Sequence, residues 1–201
     1  MAKPQNAKTG AVDLTTPLGT ETELAIAANQ IVAASGSGAN PYEMRNQLII
    51  EEKKERIRYK NGYTLPASVQ ALRLDAQREV RHSRILATNI KKANPPGIRP
   101  KKADAHHIVA QEDARARQSR FYLFNWGIGI NDADNGIFLP RFPRAKRGSI
   151  ANAAVHQTIH TDLYHFTVTA RLLNVAKDTM EIGRKTLRKM RAELMAGTFP
   201  Y

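Results

Sequence analysis

Residues 127–140 of the chain, GIGINDADNGIFLP, carry its clearest signal of local structure. Within them Asn135-Gly136 precedes Ile, Phe and Leu, and Asn-Gly before a short apolar run is typical of a turn that opens a β-strand. An earlier apolar stretch ends in Ala105-His106-His107, and we treat this histidine pair as strand residues too. We therefore expect a small β-hairpin in a chain that is otherwise mainly α-helical.

Capping residues, periodic apolar positions and Gly or Pro stops delimit the expected helices. These helices span residues 20–34, 40–61, 66–93 and 161–173, with a last one ending at Met195. In the last helix we expect a buried stripe and a solvated basic side; the stripe is Ala176, Met180, Leu187, Met190 and Leu194, and the basic side is Arg184, Lys185, Arg188, Lys189 and Arg191. The chain then divides into a mobile lead-in (1–19), a helical region that acts as an adaptor or packing shell (20–95) and a C-terminal domain (96–201).

Histidines are concentrated in the C-terminal half. Consecutive strand residues point to opposite sides, so His106 and His107 can take different tasks, one as a metal ligand and one as a base. His156 and His160 are four residues apart, and on a helix they would share one face and could bind one cation together. Each pattern alone also fits ordinary polar residues, and we expect His82 to be an exposed helix residue without a role.

The chain is strongly basic, with 31 Lys and Arg, 18 Asp and Glu and a net charge of +13. Such a charge attracts polyanions, of which nucleic acids and anionic membranes are the commonest. No acidic residue lies between Asn135 and Thr161, so a loop in that stretch is expected either to bind phosphates or to act as a solvated loop; its basic residues are Arg141, Arg144, Lys146 and Arg147.

Several classes of protein are excluded by composition. The absence of Cys rules out disulfides, thiol nucleophiles and thiolate zinc sites. No apolar run is long enough for a membrane span, and no secretory signal is visible. No helix-turn-helix, RNA-recognition or metal-finger pattern that would read bases is present.

Three blocks in order resemble the AHH nuclease family, a toxin branch of the HNH/endonuclease VII superfamily found in bacterial polymorphic and contact-dependent toxin systems. The blocks are Ala105-His106-His107, residues 127–140 and His156-x-x-x-His160-x-x-x-Tyr164, and the similarity extends over residues 100–172. The resemblance implies a ββα-metal core, two short strands and a helix around one divalent cation. We find no resemblance for residues 1–95.

The resemblance also implies roles for individual residues. His107 would be the general base, and Asn135 would hold its imidazole by a hydrogen bond. His106, His156 and His160 would bind one divalent ion, for which Zn, Ni, Mn and Mg all stay open. The division of metal, leaving-group and phosphate roles among His156, His160 and His165 stays open. We group His165 with the basic residues of the loop, expected from their charge to bind nucleic acid: Arg141, Arg144, Lys146 and Arg147.

The expected function is a metal-dependent endonuclease without sequence preference that acts as an antibacterial toxin. The sequence does not separate DNA from RNA as the substrate, and the resemblance favours DNA. It would leave its cell through a specialised secretion system, act in the cytoplasm of a target cell and meet an acidic immunity protein. The N-terminal region could bind a secretion or adaptor protein. The alternative is a basic nucleic-acid-binding protein whose histidines close a structural metal site. Membrane-surface binding by the last helix is less well supported, because its stripe lacks Trp and Phe.

Overall fold

A computed structural model describes Asn40 and residues 56–201. The residues from 56 onward belong to one compact unit, Glu51–Tyr201. The lead-in, the helix expected at 20–34 and most of the helix expected at 40–61 lie outside the described residues. Within the described part, no helix is long and apolar enough to cross a membrane.

The described chain begins with a very short hairpin rather than the end of a helix. Strands β1 (Tyr59–Lys60) and β2 (Tyr63–Thr64) pair antiparallel. Asn61 and Gly62 connect them with φ values of 52° and 85°, the left-handed conformation that tight Asn-Gly hairpin turns require. The expected helix over 56–61 is therefore wrong, because this Asn-Gly pair joins two strands instead of ending a helix.

The helix expected over residues 66–93 is present but interrupted. It forms α1 (Val69–Gln77), capped by the Ser68 side chain, and α2 (His82–Ala93). Arg78 adopts an extended conformation after α1, so the chain changes direction between the helices. Each half keeps part of the expected apolar stripe, with Leu72 in α1 and Leu86 in α2 fully buried.

The expected hairpin forms the centre of the fold. Strands β3 (Ala103–His107) and β4 (Gly136–Pro140) pair antiparallel, with His107 opposite Gly136. Helix α2 packs so closely on this end of the hairpin that a Cβ on Gly136 would lie 2.6 Å from Leu86 Cδ1. Glycine at this position therefore permits the contact between helix and hairpin.

Three more helices complete the unit: α3 (Arg117–Asn125), α4 (Asp162–Leu173) and α5 (Met180–Ala196). The two closing helices are where the sequence predicts them, and Thr161 caps α4. On α5, Leu187, Met190 and Leu194 are buried as expected, whereas Met180 is exposed.

Arg184 is the main departure from the expected pattern of α5. It is 7% exposed, although its spacing places it among the basic residues of the solvated side. Its guanidinium donates hydrogen bonds to Asp132 and Asp134, two buried carboxylates in the loop before β4. Arg184 is therefore buried in ion pairs with these two carboxylates instead of being solvated.

The fold class is confirmed: the described part is mainly helical, and its β3–β4 hairpin is consistent with an HNH-like ββα core. The boundary expected between residues 95 and 96 does not separate two compact units in the structure. Leu86 and Ile90, before that boundary, lie in the same hydrophobic core as Ile137 and Leu139 of the hairpin.

Candidate metal and base site

Three histidines converge beside the hairpin. His106 lies on β3, His156 begins a 3-10 turn (His156–Thr158), and His160 immediately precedes the cap of α4. Their rings lie 5.1 to 5.3 Å apart, and one ligand nitrogen from each falls within 4.8 Å of the other two. His156 and His160 are not on one helix, and a turn and a loop rather than a shared helix face bring them together.

Tyr164 of α4 fixes which nitrogen of His106 carries the proton. Its hydroxyl lies 2.9 Å from the carbonyl oxygen of Ile108 and 2.8 Å from Nε2 of His106. The carbonyl can only accept, so the single hydroxyl proton is donated to it, and the hydroxyl must accept from Nε2–H. Nδ1 of His106 therefore keeps its lone pair, as a metal ligand requires.

The chemistry of these groups fits a divalent transition-metal ion. Burial lowers the pKa of His106 well below 6.5, the neighbouring histidines lower it further, and the pKa of His160 is lowered for the same reasons. Neutral imidazoles are the form that binds metal. Three nitrogen ligands at this spacing suit tetrahedral coordination with one open position, and the exposure of His160 leaves that side accessible.

Asp104 lies beside the histidine cluster and forms an ion pair with Arg141. Its Oδ2 lies 3.6 Å from Nδ1 of His156, while Arg141 donates two hydrogen bonds of 2.8 Å to the same carboxylate. Although no acidic residue lies near Arg141 in the sequence, the paired strand supplies one, so Arg141 is neutralised rather than free. Arg144, Lys146 and Arg147 are exposed, and no ion pair joins them to the rest of the described chain.

His107 lies in a different environment from the adjacent His106. Its Nε2 lies 3.1 Å from Oδ1 of Asn131. Burial lowers the pKa of His107 to about 4, although the bond to Asn131 opposes this shift. His82 and, after it, His156 also lower this pKa. A neutral imidazole at neutral pH is the form that can accept a proton.

Asn135 does not hold His107. Its Oδ1 accepts a hydrogen bond from the backbone N–H of Val109, and its Nδ2 donates to the carbonyl oxygens of Val109 and Ile130. Asn135 therefore ties the loop before β4 to the end of β3, and the expected bond to His107 is made by Asn131. No sequence signal distinguishes Asn131, which is one of several polar residues in residues 127–140.

His82 is buried rather than exposed, with 4% of its surface accessible. Its Nε2 lies 3.0 Å from the carbonyl oxygen of Arg78, and its Nδ1 lies 2.9 Å from Nδ2 of Asn131. His82 and His107 therefore contact opposite ends of one amide, an arrangement that the sequence does not reveal.

His165 does not lie on a nucleic-acid-binding surface. It is 4% exposed, and its Nε2 lies 3.2 Å from Oδ2 of Asp113. Burial is the main reason that its pKa is lowered, and the nearby carboxylate opposes this. The structure does not support the assignment of His165 to phosphate binding, because its ring is buried and faces the partly exposed carboxylate of Asp113.

Comparison with known families agrees with this site. A model of the AHH family, described as a nuclease family of the HNH/ENDO VII superfamily with conserved AHH, matches residues 88–194. This match covers more than half of the chain, so the chain belongs to the AHH nuclease family and is an endonuclease. No curated protein and no solved structure matches it. The family favours the nuclease over the binding protein without catalysis.

Proposed function

We propose that this nuclease is a metal-dependent endonuclease that cuts DNA without sequence preference and acts as an antibacterial toxin. The observation that carries the metal dependence is the convergence of His106, His156 and His160, next to a separate, neutral His107. Adjacent residues of one strand thereby supply a metal ligand and a base. HNH-type nucleases use a divalent metal, and the donor set here fits one.

The residues of the site have different roles in the proposed reaction. His107 accepts the proton of the attacking water at Nδ1, which receives no hydrogen bond from the described part of the chain, while Nε2 stays bound to Asn131. Tyr164 holds His106, and Asp104 lies beside His156. The cation, when bound, supplies charge that stabilises the phosphate and the leaving oxygen.

Two cationic surfaces of the described chain support a polyanionic substrate. One is the loop with Arg144, Lys146 and Arg147. The other is a groove of about 1260 Å³ between α1 and α3, whose lining includes six arginines, two glutamates and the exposed Phe121. Arg115 of this groove donates to Asp162, two residues after His160. These surfaces offer positive charge to a strand longer than the site.

The biological role rests on the family resemblance and the charge. A nuclease that acts on any DNA endangers the cell that makes it, so we propose a cognate immunity protein, acidic because this chain carries a net charge of +13. We also propose export through a specialised secretion system, with action in the cytoplasm of the target cell. The N-terminal region remains a proposed site for an adaptor.

Cleavage of supercoiled plasmid by the purified protein tests the activity. Mg, Mn, Ni or Zn is added in turn, with EDTA as the metal-free control and single-stranded RNA as a second substrate. Nicking that requires a metal and shows no sequence preference supports the proposal. Cleavage of RNA alone would contradict the substrate, and cleavage that persists in EDTA after dialysis would contradict the metal dependence.

The bond from Tyr164 makes a first prediction. Tyr164→Phe removes the hydroxyl that fixes the proton of His106, and loss of such an outer partner lowers metal affinity by about 10- to 100-fold. Competition with a chromogenic chelator measures this affinity. Tyr122→Phe is the matched control, since Tyr122 is also buried and its hydroxyl makes no hydrogen bond in the described structure. Equal affinities in the two variants would contradict the role given to Tyr164.

A second prediction concerns the basic loop. The double substitution Lys146→Ala with Arg147→Ala should make the plot of log binding constant against log salt concentration less steep. The slope should shrink in magnitude by about 1 for each phosphate that the loop no longer neutralises. Fluorescence anisotropy on a DNA duplex in EDTA measures binding without cleavage. Lys185→Ala with Lys189→Ala removes the same charge from exposed positions of α5 and should leave the slope unchanged. The same slope in both double variants would show that net charge, rather than the loop, binds DNA.

A further inference from the structure

His82 lies outside the part of the chain that the family model matches, which begins at residue 88. It is nevertheless buried, and it contacts the amide of Asn131 that also contacts His107. The residues joined in this way are far apart in sequence, 49 positions between His82 and Asn131 and 24 between Asn131 and His107. A residue from the first turn of α2 is therefore linked to the proposed base by one intermediate side chain.

The direction of every hydrogen bond in this chain of contacts follows from its first member. The carbonyl oxygen of Arg78 can only accept, so Nε2 of His82 carries a proton and donates to it. In the neutral imidazole, Nδ1 of His82 is then an acceptor. Nδ1 of His82 therefore needs a donor, so the NH2 group of Asn131 faces His82 and Oδ1 of Asn131 faces His107.

The same logic fixes the proton of His107. Oδ1 of Asn131 can only accept, so Nε2 of His107 must donate to it, and the lone pair of His107 is on Nδ1. Without His82 the amide could rotate by half a turn and present its NH2 group to His107. In that orientation Nε2 would have to accept, and Nδ1 would hold the proton and could not act as a base.

A second side chain of α2 holds the backbone at Asn131 in place. Asn89, which is 4% exposed, donates from Nδ2 to the carbonyl oxygen of Asn131 at 2.8 Å. This bond holds the peptide in place but does not select the orientation of the Asn131 side-chain amide. Besides His82 and His107, the buried hydroxyl of Tyr59 lies near this amide: the Asn131 side chain partly offsets the burial that raises the pKa of Tyr59, but the hydroxyl makes no hydrogen bond in the described structure.

We infer that His82 is a positioning residue of this nuclease, which acts through Asn131 to keep the proton of His107 on Nε2 and its Nδ1 free. The inference rests on the proposed role of His107 as the general base. The start of α2, which lies outside the family match, thus helps to position the base. His82 itself does not contact the substrate.

Two substitutions at this position separate hydrogen bonding from packing. His82→Asn places a carbonyl oxygen where Nδ1 was and can still accept from Asn131, whereas His82→Leu fills the space without an acceptor. We expect kcat on plasmid DNA to fall about 10- to 100-fold in His82→Leu, with KM unchanged, and to recover most of this loss in His82→Asn. Equal losses in the two variants, or no loss in His82→Leu, would overturn the inference.

Nitrogen NMR of the imidazoles gives a readout that does not depend on cleavage. In the unsubstituted protein, long-range proton–nitrogen spectra should show the His107 proton on Nε2, and in His82→Leu they should show the other tautomer or a mixture. A proton on Nδ1 of His107 in the unsubstituted protein would overturn the inference even if His82→Leu failed to fold. If His107→Ala cleaved DNA normally while the tautomer depended on His82, the proposed base would be wrong and the positioning by His82 would stand.

Discussion

His107→Ala is expected to lower plasmid cleavage by about 10³-fold, within the range that a positioned general base contributes. The reason is that His107 is the neutral imidazole beside the cluster, with Nε2 held by Asn131 and Nδ1 open. Single-turnover cleavage at saturating protein, with the metal that supports the highest activity, measures the loss directly. DNA binding should be unchanged, because the ring is not part of a cationic surface.

The control for this substitution is metal binding. His107 is not one of the three clustered ligands, so His107→Ala should bind metal as well as the unsubstituted protein, whereas His160→Ala should bind it more weakly. This pair distinguishes loss of the base from loss of the ion. A His107→Ala variant that retained more than a tenth of the cleavage rate would show that another group accepts the proton.

Arg184→Leu is expected to destabilise the fold by about 3 to 5 kcal/mol, the usual effect of removing one partner of a buried ion pair. Asp132 and Asp134 are both fully buried and both accept from this guanidinium. Asp132 would keep only its bonds to the backbone of the loop and to Thr64. Urea denaturation followed by circular dichroism measures the free energy of unfolding.

Arg188→Leu is the matched control on the same helix. Arg188 pairs with the same Asp134, but its side chain is 45% exposed. Partly exposed ion pairs contribute about 0 to 1 kcal/mol, so this variant should unfold close to the unsubstituted protein. Equal destabilisation by the two substitutions would show that helix α5, rather than the buried charges, determines the effect.

Local patterns in the sequence predicted the local elements well. Asn135-Gly136 indicated the beginning of β4, Thr161 precedes α4 as a cap, and the resemblance grouped His106, His156 and His160, which the structure places together. Each of these features depends on residues close in sequence or on a known motif. The continuous helix expected over residues 66–93 failed because apolar periodicity continues across the change of direction near Arg78.

The polar partners could not be predicted, for a physical reason. A hydrogen bond between His82 and Asn131 requires only that the fold bring them together, and neither periodicity nor spacing records such a contact. The same holds for Arg141 with Asp104 and for Arg184 with Asp132, where the fold supplies the opposite charge from distant positions. Charge counted along the sequence therefore overestimated how many arginines stay free.

The close contact between α2 and Gly136 has a consequence for dividing the chain. Helix α2 supplies Leu86 and Ile90 to the core, and residues 94–102 are its covalent connection to β3. A chain interrupted in that connector would yield two polypeptides, one holding His82 and the other His107, and each would leave apolar surface uncovered. Cleavage would then depend on reassociation of the two pieces, so this nuclease offers a place to build a split enzyme whose activity reports the meeting of its halves.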